Sequence, residues 1–486
     1  MTAPPEANGA AAGNPPAAGI VTGNGRGTTA PATAARPDSR FLPQVRGHIT
    51  GLDGIRAIAA LMVLVFHVGI ETGAALHPGV FGAFLSGGQY GVPLFFALSG
   101  LLLYRPWARA ALDGTPRPAV LPYLWRRALR VLPAYWIVAA TALLIWSDDR
   151  LGSVGAWVEV MTLTFTYDLD PWWVGTGPYG LGQMWSLCVE VSYYLLLPVI
   201  AYLLARYAGR AGQGRGRGGR GAANTGDGPT ASIVDVRAKR LLIGLAVMVV
   251  LSLLAFFPQF YPEPRPYMHS WLPRTLGMFA VGMGLAVVSE WAWRESGPDG
   301  PVRRFCRTLP RAATLCWSLA AIVYILACTP AAGPRFVGVD GLWVGWFNSI
   351  ISMAFAFFLI APVALMPRYD AASESTGDGG SPLSRWSEGA WLRRLLAHPV
   401  SVYLGKISYG IFLWQFVVLY MWRGFTGQEI FTGSFWFDIV PVTLGTILCA
   451  AATYRWVEEP SRRWYNAVGP GRGKRKAKAE QTAATG

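Results

Sequence analysis

Arg56 and His67 stand eleven residues apart in the first long apolar stretch of the chain, GLDGIRAIAALMVLVFHVGI at 51–70. On a helix that spacing is three turns plus roughly 20°, so both side chains share one face, about 16 Å apart along the axis. The guanidinium is then expected near one membrane surface and the imidazole close to mid-bilayer. Ionisable groups inside a span face a protein interior or a water-filled cavity and commonly mark function. An imidazole can take the proton of a hydroxyl as that hydroxyl attacks an electrophilic carbon. The competing reading makes Arg56 a surface charge anchor and His67 a hydrogen-bonding residue between helices.

Other polar groups recur in apolar surroundings. In YLWRRALRVLPAYW (123–136), Arg126, Arg127 and Arg130 open the third apolar run, with Arg127 and Arg130 on one face if the helix starts early. Arginine forks suit phosphate oxygens, although basic residues also flank spans as ordinary anchors. Glu190, in QMWSLCVEVSYYLLLPVI (183–200), is expected five residues inside the fourth span, roughly 8 Å from the outer surface. A carboxylate at that depth needs a partner, because its uncompensated transfer into hydrocarbon is prohibitive. Glu190 could orient His67 or receive a polar acceptor, while neighbouring Trp185 also reads as an interfacial anchor. Ser99 and Gly100 in YGVPLFFALSGLLLYRPW (90–107) allow close helix approach. YLGKISYGIFLWQ (403–415) carries Lys406, Ser408, Tyr409 and Gln415 into an otherwise apolar run, and Arg274 follows Trp271 at the start of another. Ser99, Trp185, Ser186, Arg274, Tyr409 and Gln415 are the candidate lining of a substrate path.

The elements that must position these groups are membrane helices. Hydrophobic residues make up 52% of the 486 and charged residues 14%, the composition of an all-α integral membrane protein with many spans. Run lengths and flanks give ten, at about 52–72, 88–104, 131–147, 186–205, 241–258, 272–293, 313–330, 342–366, 399–422 and 436–455. Lys and Arg gather in the two tails and in the loops 105–130, 206–240, 294–311 and 367–398. Arg150, Arg265, Arg274, Arg335 and Arg423 fall opposite, so both termini are expected to be cytoplasmic. Residues 1–46, rich in Ala, Pro and Gly, form an expected disordered tail. The membrane domain then covers 47–461, interrupted by a disordered basic loop at 206–240, and a basic cytoplasmic tail covers 462–486. The first hydrophobic run begins only at Leu52, which reads as an uncleaved signal anchor. Pro460 in WVEEPSRRW (456–464) is expected to stop the last helix.

The net charge of +15 and the RAGQGRGRGGR tract at 210–220 invite comparison with RNA-binding segments. Their place between two spans favours anionic lipid as the partner, and no nucleic acid is expected. The five cysteines have no paired spacing, and only His67 of the five histidines lies deep in a span. Neither a disulfide nor a metal site is expected.

The order of these segments resembles acyltransferase family 3. The Arg-x10-His of the first span, FFALSGLLLY, WRRALRVLPAYW, WSLCVE, ISYGIFLW and the final VEEP span residues 51–460. The resemblance implies a ten-helix core, in the inner (plasma) membrane, that uses cytoplasmic acyl-CoA as co-substrate, with no bound cofactor, to acylate a hydroxyl. The acceptor is often a carbohydrate or glycolipid on the other side, and a sugar on a secreted small molecule presents the same group. Arg56 and His67 fall on the family's essential pair, Arg127 and Arg130 on its Arg-x-x-Arg, and Trp185 to Glu190 on its WSL-x-x-E. Many relatives carry a second His where this chain has Gln415, which argues against a two-histidine mechanism. A branch with a fused esterase-like domain is not expected. The competing class is a transporter or flippase, against which stands the lack of an evident internal repeat or of paired broken spans.

Overall fold

The computed structural model describes residues 42–173, 175–213, 233–295, 299–335, 341–367 and 390–468, all within one compact unit from Asp38 onward. Among them the only β-pairing is an isolated bridge between Pro43 and Pro367; the rest of the regular structure is helical. In chain order the helices are α1 (Thr50–Glu71), α2 (Val80–Ser86), α3 (Gly91–Asp113), α4 (Val120–Trp146), α5 (Val154–Met161), α6 (Trp185–Gln213), α7 (Ile233–Leu254) and α8 (Phe257–Phe260). There follow α9 (Leu272–Ala292), α10 (Pro301–Arg311), α11 (Ala313–Ala327), α12 (Leu342–Ala364), α13 (Ala390–Leu396), α14 (Pro399–Thr426), α15 (Phe435–Thr453) and α16 (Glu459–Ser461). Nine of the described helical stretches are long and apolar enough to cross a membrane, or ten if the bent pair α10–α11 is one span. The protein is an all-α, multi-pass membrane protein.

That bent pair corrects the seventh expected span. Where one straight helix over 313–330 was expected, α11 has only 15 residues, about 22 Å of rise, and meets α10 at 73°. The second span also departs from its expected bounds. It enters through α2 and a 3-10 turn (Gly87–Tyr90) before α3 begins.

Two close crossings organise the bundle. In α3 against α9, Gly282 faces the Ala97 carbonyl and Gly100 the Phe279 carbonyl, where any side chain would collide with backbone. Phe279 of α9 is then stacked between Phe96 of α3 and Tyr193 of α6, with ring centroids 4.7 and 3.9 Å away. In α1 against α14, Gly405 faces the Asp53 carbonyl in the same way. Small residues at such crossings let backbones approach where lipid offers no hydrophobic drive for association.

α6 begins deep in the bundle. The Tyr123 hydroxyl donates to the Tyr194 carbonyl (3.2 Å), which sets the first turn of α4 level with Tyr194. From that level, α4 climbs so much further than the nine residues left to α6 that α6 starts roughly 20 Å short of the far end of α4. The chain before α6 fills the difference, with Phe165, Leu181, Gln183 and Met184 buried. The Gln183 amide donates to the carbonyl of Leu413 (3.1 Å). The hydrophobicity of 186–205 gave the right helix but not this depth.

Segments read as disordered are ordered at their edges. Residues 42–46 were assigned to the N-terminal tail, yet Leu42 is buried and the carbonyls of Pro43, Gln44 and Val45 accept from Trp293 (2.8 Å), Arg105 (3.4 Å) and Arg109 (3.2 Å). The tail's remainder, 1–41, lies outside the described residues. Both ends of the expected loop 206–240 are helical, because α6 runs to Gln213 and α7 starts at Ile233; residues 214–232 lie outside the description. Within 462–486, a 3-10 turn at Arg462–Trp464 packs on α4 through a hydrogen bond from Trp125 to the Trp464 carbonyl (3.0 Å), while 469–486 are not described. Pro460 does not end the last helix. A π-helical turn (Tyr454–Glu458) widens the backbone before it, and α16 continues beyond.

Candidate active site

Arg56, His67 and Glu71 fall within roughly 60° of one another around α1, and α14 faces them. At three- and four-residue steps α14 presents Ser408, Tyr409 and Phe412 beside Arg56, Gln415 and Phe416 beside His67, and Tyr420 and Arg423 beside Glu71. The two helices thus form the spine of the site. Arg56 is held from within its own helix, its guanidinium 3.6 Å from the buried Asp53 carboxylate, which also takes His48 at 2.5 Å.

A cavity of about 200 Å³ opens at the Arg56 end. Arg56, Ser99, Arg127, Arg130, Ser186, Glu190 and Tyr409 all line it, so seven of the twelve expected site residues meet in one place. α4 starts at Val120, early enough to put Arg127 and Arg130 on one face. Neither guanidinium has a hydrogen bond or an ion pair with a described residue, and the Nε of Arg127 is buried without a partner. Ser99 donates to the Glu190 carboxylate, and the Tyr409 hydroxyl donates to the Val131 carbonyl (2.9 Å). The cavity lining carries three guanidinium groups and one carboxylate, with the Asp53 carboxylate beside Arg56 and the Glu458 carboxylate within electrostatic reach of Arg130.

Glu190 therefore stands elsewhere than expected. The sunken start of α6 places it among the arginines rather than near the outer surface. Trp185, read as an interfacial anchor or path residue, is likewise inside the bundle, its ring edge-on to Phe96 at 6.4 Å, and it does not line the cavity. Two further candidates fall away from it. Arg126 is exposed, on another side of α4. Arg274 lies over the Phe256 ring, 4.1 Å from its centre.

His67 is not on the cavity wall either. It lies four residues from the C-terminal end of α1. Phe95 and Phe412, ring centroids 6.5 Å apart, line the cavity, and Phe416, one turn beyond Phe412, packs on the imidazole at 4.4 Å. The partner of His67 is Gln415, whose Oε1 is 3.1 Å from Nδ1. The Gln415 amide nitrogen donates to the Phe412 carbonyl (3.0 Å), which fixes the amide orientation and leaves its oxygen to accept from the imidazole. Nδ1 therefore carries the proton, and Nε2 is the basic nitrogen.

The sequence reading missed Asp53 and Glu71. Asp53 was legible as an acid three residues before Arg56, the spacing of a same-face pair. Glu71 lies four residues after His67, but at the end of an apolar run it passes for a boundary residue.

An arginine-lined cavity at one end of the α1–α14 pair and a histidine held by Gln415 towards the other make a polar site inside a membrane protein. Residues 49–455 match the acyltransferase family 3 profile, described as an acyltransferase domain, and the chain belongs to that family. A Staphylococcus aureus protein named "Putative O-acetyltransferase SACOL0978" is 22% identical over 433 residues, covering 86% of this chain and 58% of its own length. The O-acetyltransferase OatA of the same species is 27% identical over 176 residues, 34% of this chain and 26% of its own. A Caenorhabditis elegans protein named regulator of hypoxia-inducible factor 1 is 30% identical over 183 residues, 33% of this chain and 35% of its own. The chain thus spans less than two thirds of the length of these relatives. No solved structure matches it.

Proposed function

We propose that the protein is a plasma-membrane O-acyltransferase that takes a short acyl group from cytoplasmic acyl-CoA and passes it to a hydroxyl of a carbohydrate-containing acceptor on the other side. The observation that carries this reading is the pair Arg127 and Arg130, lining the cavity with neither guanidinium in a hydrogen bond or close ion pair with a described residue, while the Glu190 and Glu458 carboxylates lie within electrostatic reach of Arg130. Two unpaired guanidinium groups fit the phosphate oxygens of the donor, which they can grip as forks. Both lie near the N-terminal end of α4, which the distribution of Lys and Arg assigns to the cytoplasm.

In the proposed reaction, Nε2 of His67 takes the proton of the acceptor hydroxyl as its oxygen bonds to the thioester carbonyl carbon. The C–S bond then breaks, and the leaving CoA thiolate recovers the proton from the imidazolium. Gln415 holds the ring in the tautomer this requires. Ser99 and Glu190, facing the arginines, position the donor end rather than the acceptor.

The test is transfer in sealed vesicles with radiolabelled acetyl-CoA confined to one face. Label is expected to cross only when the donor is on the face of the arginine-rich loops. His67→Ala is expected to lower transfer by ~10²–10⁴ while CoA remains bound. Wild-type turnover by a well-inserted His67→Ala protein would overturn the mechanism, and a protein that moves solute without consuming thioester would be a transporter.

A further inference from the structure

One turn past His67, the C-terminal end of α1 carries a polar cluster that the donor cavity does not explain. Glu71 is 8% exposed. One of its carboxylate oxygens accepts from the Tyr420 hydroxyl (3.1 Å), and the other, Oε2, is buried with no hydrogen-bond partner among the described residues. Arg423 is 3% exposed. Its Nη1 donates to the Glu71 backbone carbonyl (2.7 Å), and its Nη2 is buried and equally unpartnered. The carboxylate and the guanidinium are bound to the same stretch of backbone, yet they do not pair with each other. One oxygen needs a donor and one N–H needs an acceptor. A hydroxyl supplies both at once, and leaving either group unmet in a buried place is costly.

The rings beside this cluster point to what carries the hydroxyl. Tyr420 is stacked between Phe416 (5.2 Å) and Tyr179 (4.3 Å, 19°), and Phe416 in turn packs on His67. Trp146 stands edge-on to both tyrosines, at 5.7 and 6.1 Å. Tyr179 closes this ladder with 46% of its surface exposed. An exposed aromatic platform next to a donor–acceptor pair suits a ring with one apolar face and a hydroxylated rim.

We infer that Glu71, Arg423 and the Tyr179–Tyr420 stack form a saccharide-binding subsite, which anchors one hydroxyl of the acceptor while a neighbouring hydroxyl reaches Nε2 of His67. This assignment rests on the acyltransfer reading for its role in turnover. Binding can be measured without turnover.

Saturation-transfer NMR on the full chain in lipid nanodiscs, in a His67→Ala background, tests it with three probes: maltose, the N-acetylglucosamine disaccharide and butane-1,4-diol. At least one saccharide is expected to bind, with the diol silent. Glu71→Gln and Tyr179→Ala are each expected to weaken that binding at least tenfold. Tyr179 is exposed enough for its variant to fold even if the buried Glu71→Gln protein does not. Binding of neither saccharide, equal signals from diol and sugars, or undiminished binding in Tyr179→Ala would overturn the subsite. Saccharide binding that depends on Tyr179 in a protein whose wild type consumes no acyl-CoA would uphold the subsite and overturn the acyltransferase reading instead.

Discussion

His67 does its proposed work through a residue that is not titratable. Gln415 stands where a second histidine was anticipated, and in sequence it read as a loss. In the structure its oxygen accepts from Nδ1, so the basic lone pair is on Nε2. An amide does this without adding a charge to a buried place. Gln415→Leu is therefore expected to keep the protein folded and to lower turnover by about tenfold or more, less than the ~10²–10⁴ expected for loss of the base itself. Steady-state transfer with matched membrane levels checks it, and unchanged kcat would remove the tautomer argument. Arg56, His67, Arg127 and Arg130 were legible in sequence because charge in an apolar run is conspicuous and helical spacing fixes a common face. Glu71 was not, because an acid at the margin of a span looks like an ordinary boundary, whereas Asp53 carried a same-face signal three residues before Arg56 that the reading passed over.

At the scale of elements, run length and composition revealed the helices, but register depended on contacts between them. The depth of Glu190 illustrates this. Its distance from the start of α6 was correctly counted, while the level of that start was set by Tyr123, Tyr194 and the buried segment around Gln183. Two expectations follow for elements. Because Arg127 and Arg130 share the inner face of α4, Arg127→Ala or Arg130→Ala should weaken CoA binding to purified protein. Arg→Lys should restore it only partly, since a lysine offers no fork. Equal CoA affinity in all four variants would return these arginines to the role of charge anchors. Glu190→Gln should now alter CoA binding as well, as a neighbour of the arginines. The α1–α14 crossing gives the second. A side chain at Gly405 meets the Asp53 backbone, so Gly405→Val should destabilise by at least the ~1–3 kcal/mol typical of overpacking, read as a fall in thermal midpoint in detergent.

Across the whole molecule, the N-terminal approach to α1 is fastened to the bundle by an ion-pair network. Glu290 of α9 is 1% exposed and takes Arg109 of α3 at 2.6 Å and Arg294 at 2.8 Å, while Arg294 also reaches Asp113 at 2.5 Å. Arg109 extends this clasp to the Val45 carbonyl. Glu290→Ala leaves Arg109 without its carboxylate while Arg294 keeps Asp113, and because both arginines are partly exposed the cost is expected below the about 3–5 kcal/mol of breaking a fully buried pair. The expected result is loss of thermal stability in detergent, with CoA affinity kept in the fraction that stays folded. A variant as stable as the wild type would show that the clasp is ornamental. At the opposite extreme of polarity, Phe95 and Phe412 put two rings on the cavity wall, one turn of α14 from the Phe416 that packs on the histidine. Phenyl rings turn aside hydrated ions and protons, whose desolvation is prohibitive, but a neutral acyl group loses little by passing between them. In the proposed reaction these rings would act as an electrical seal, letting an acyl group cross the membrane while the membrane potential is kept.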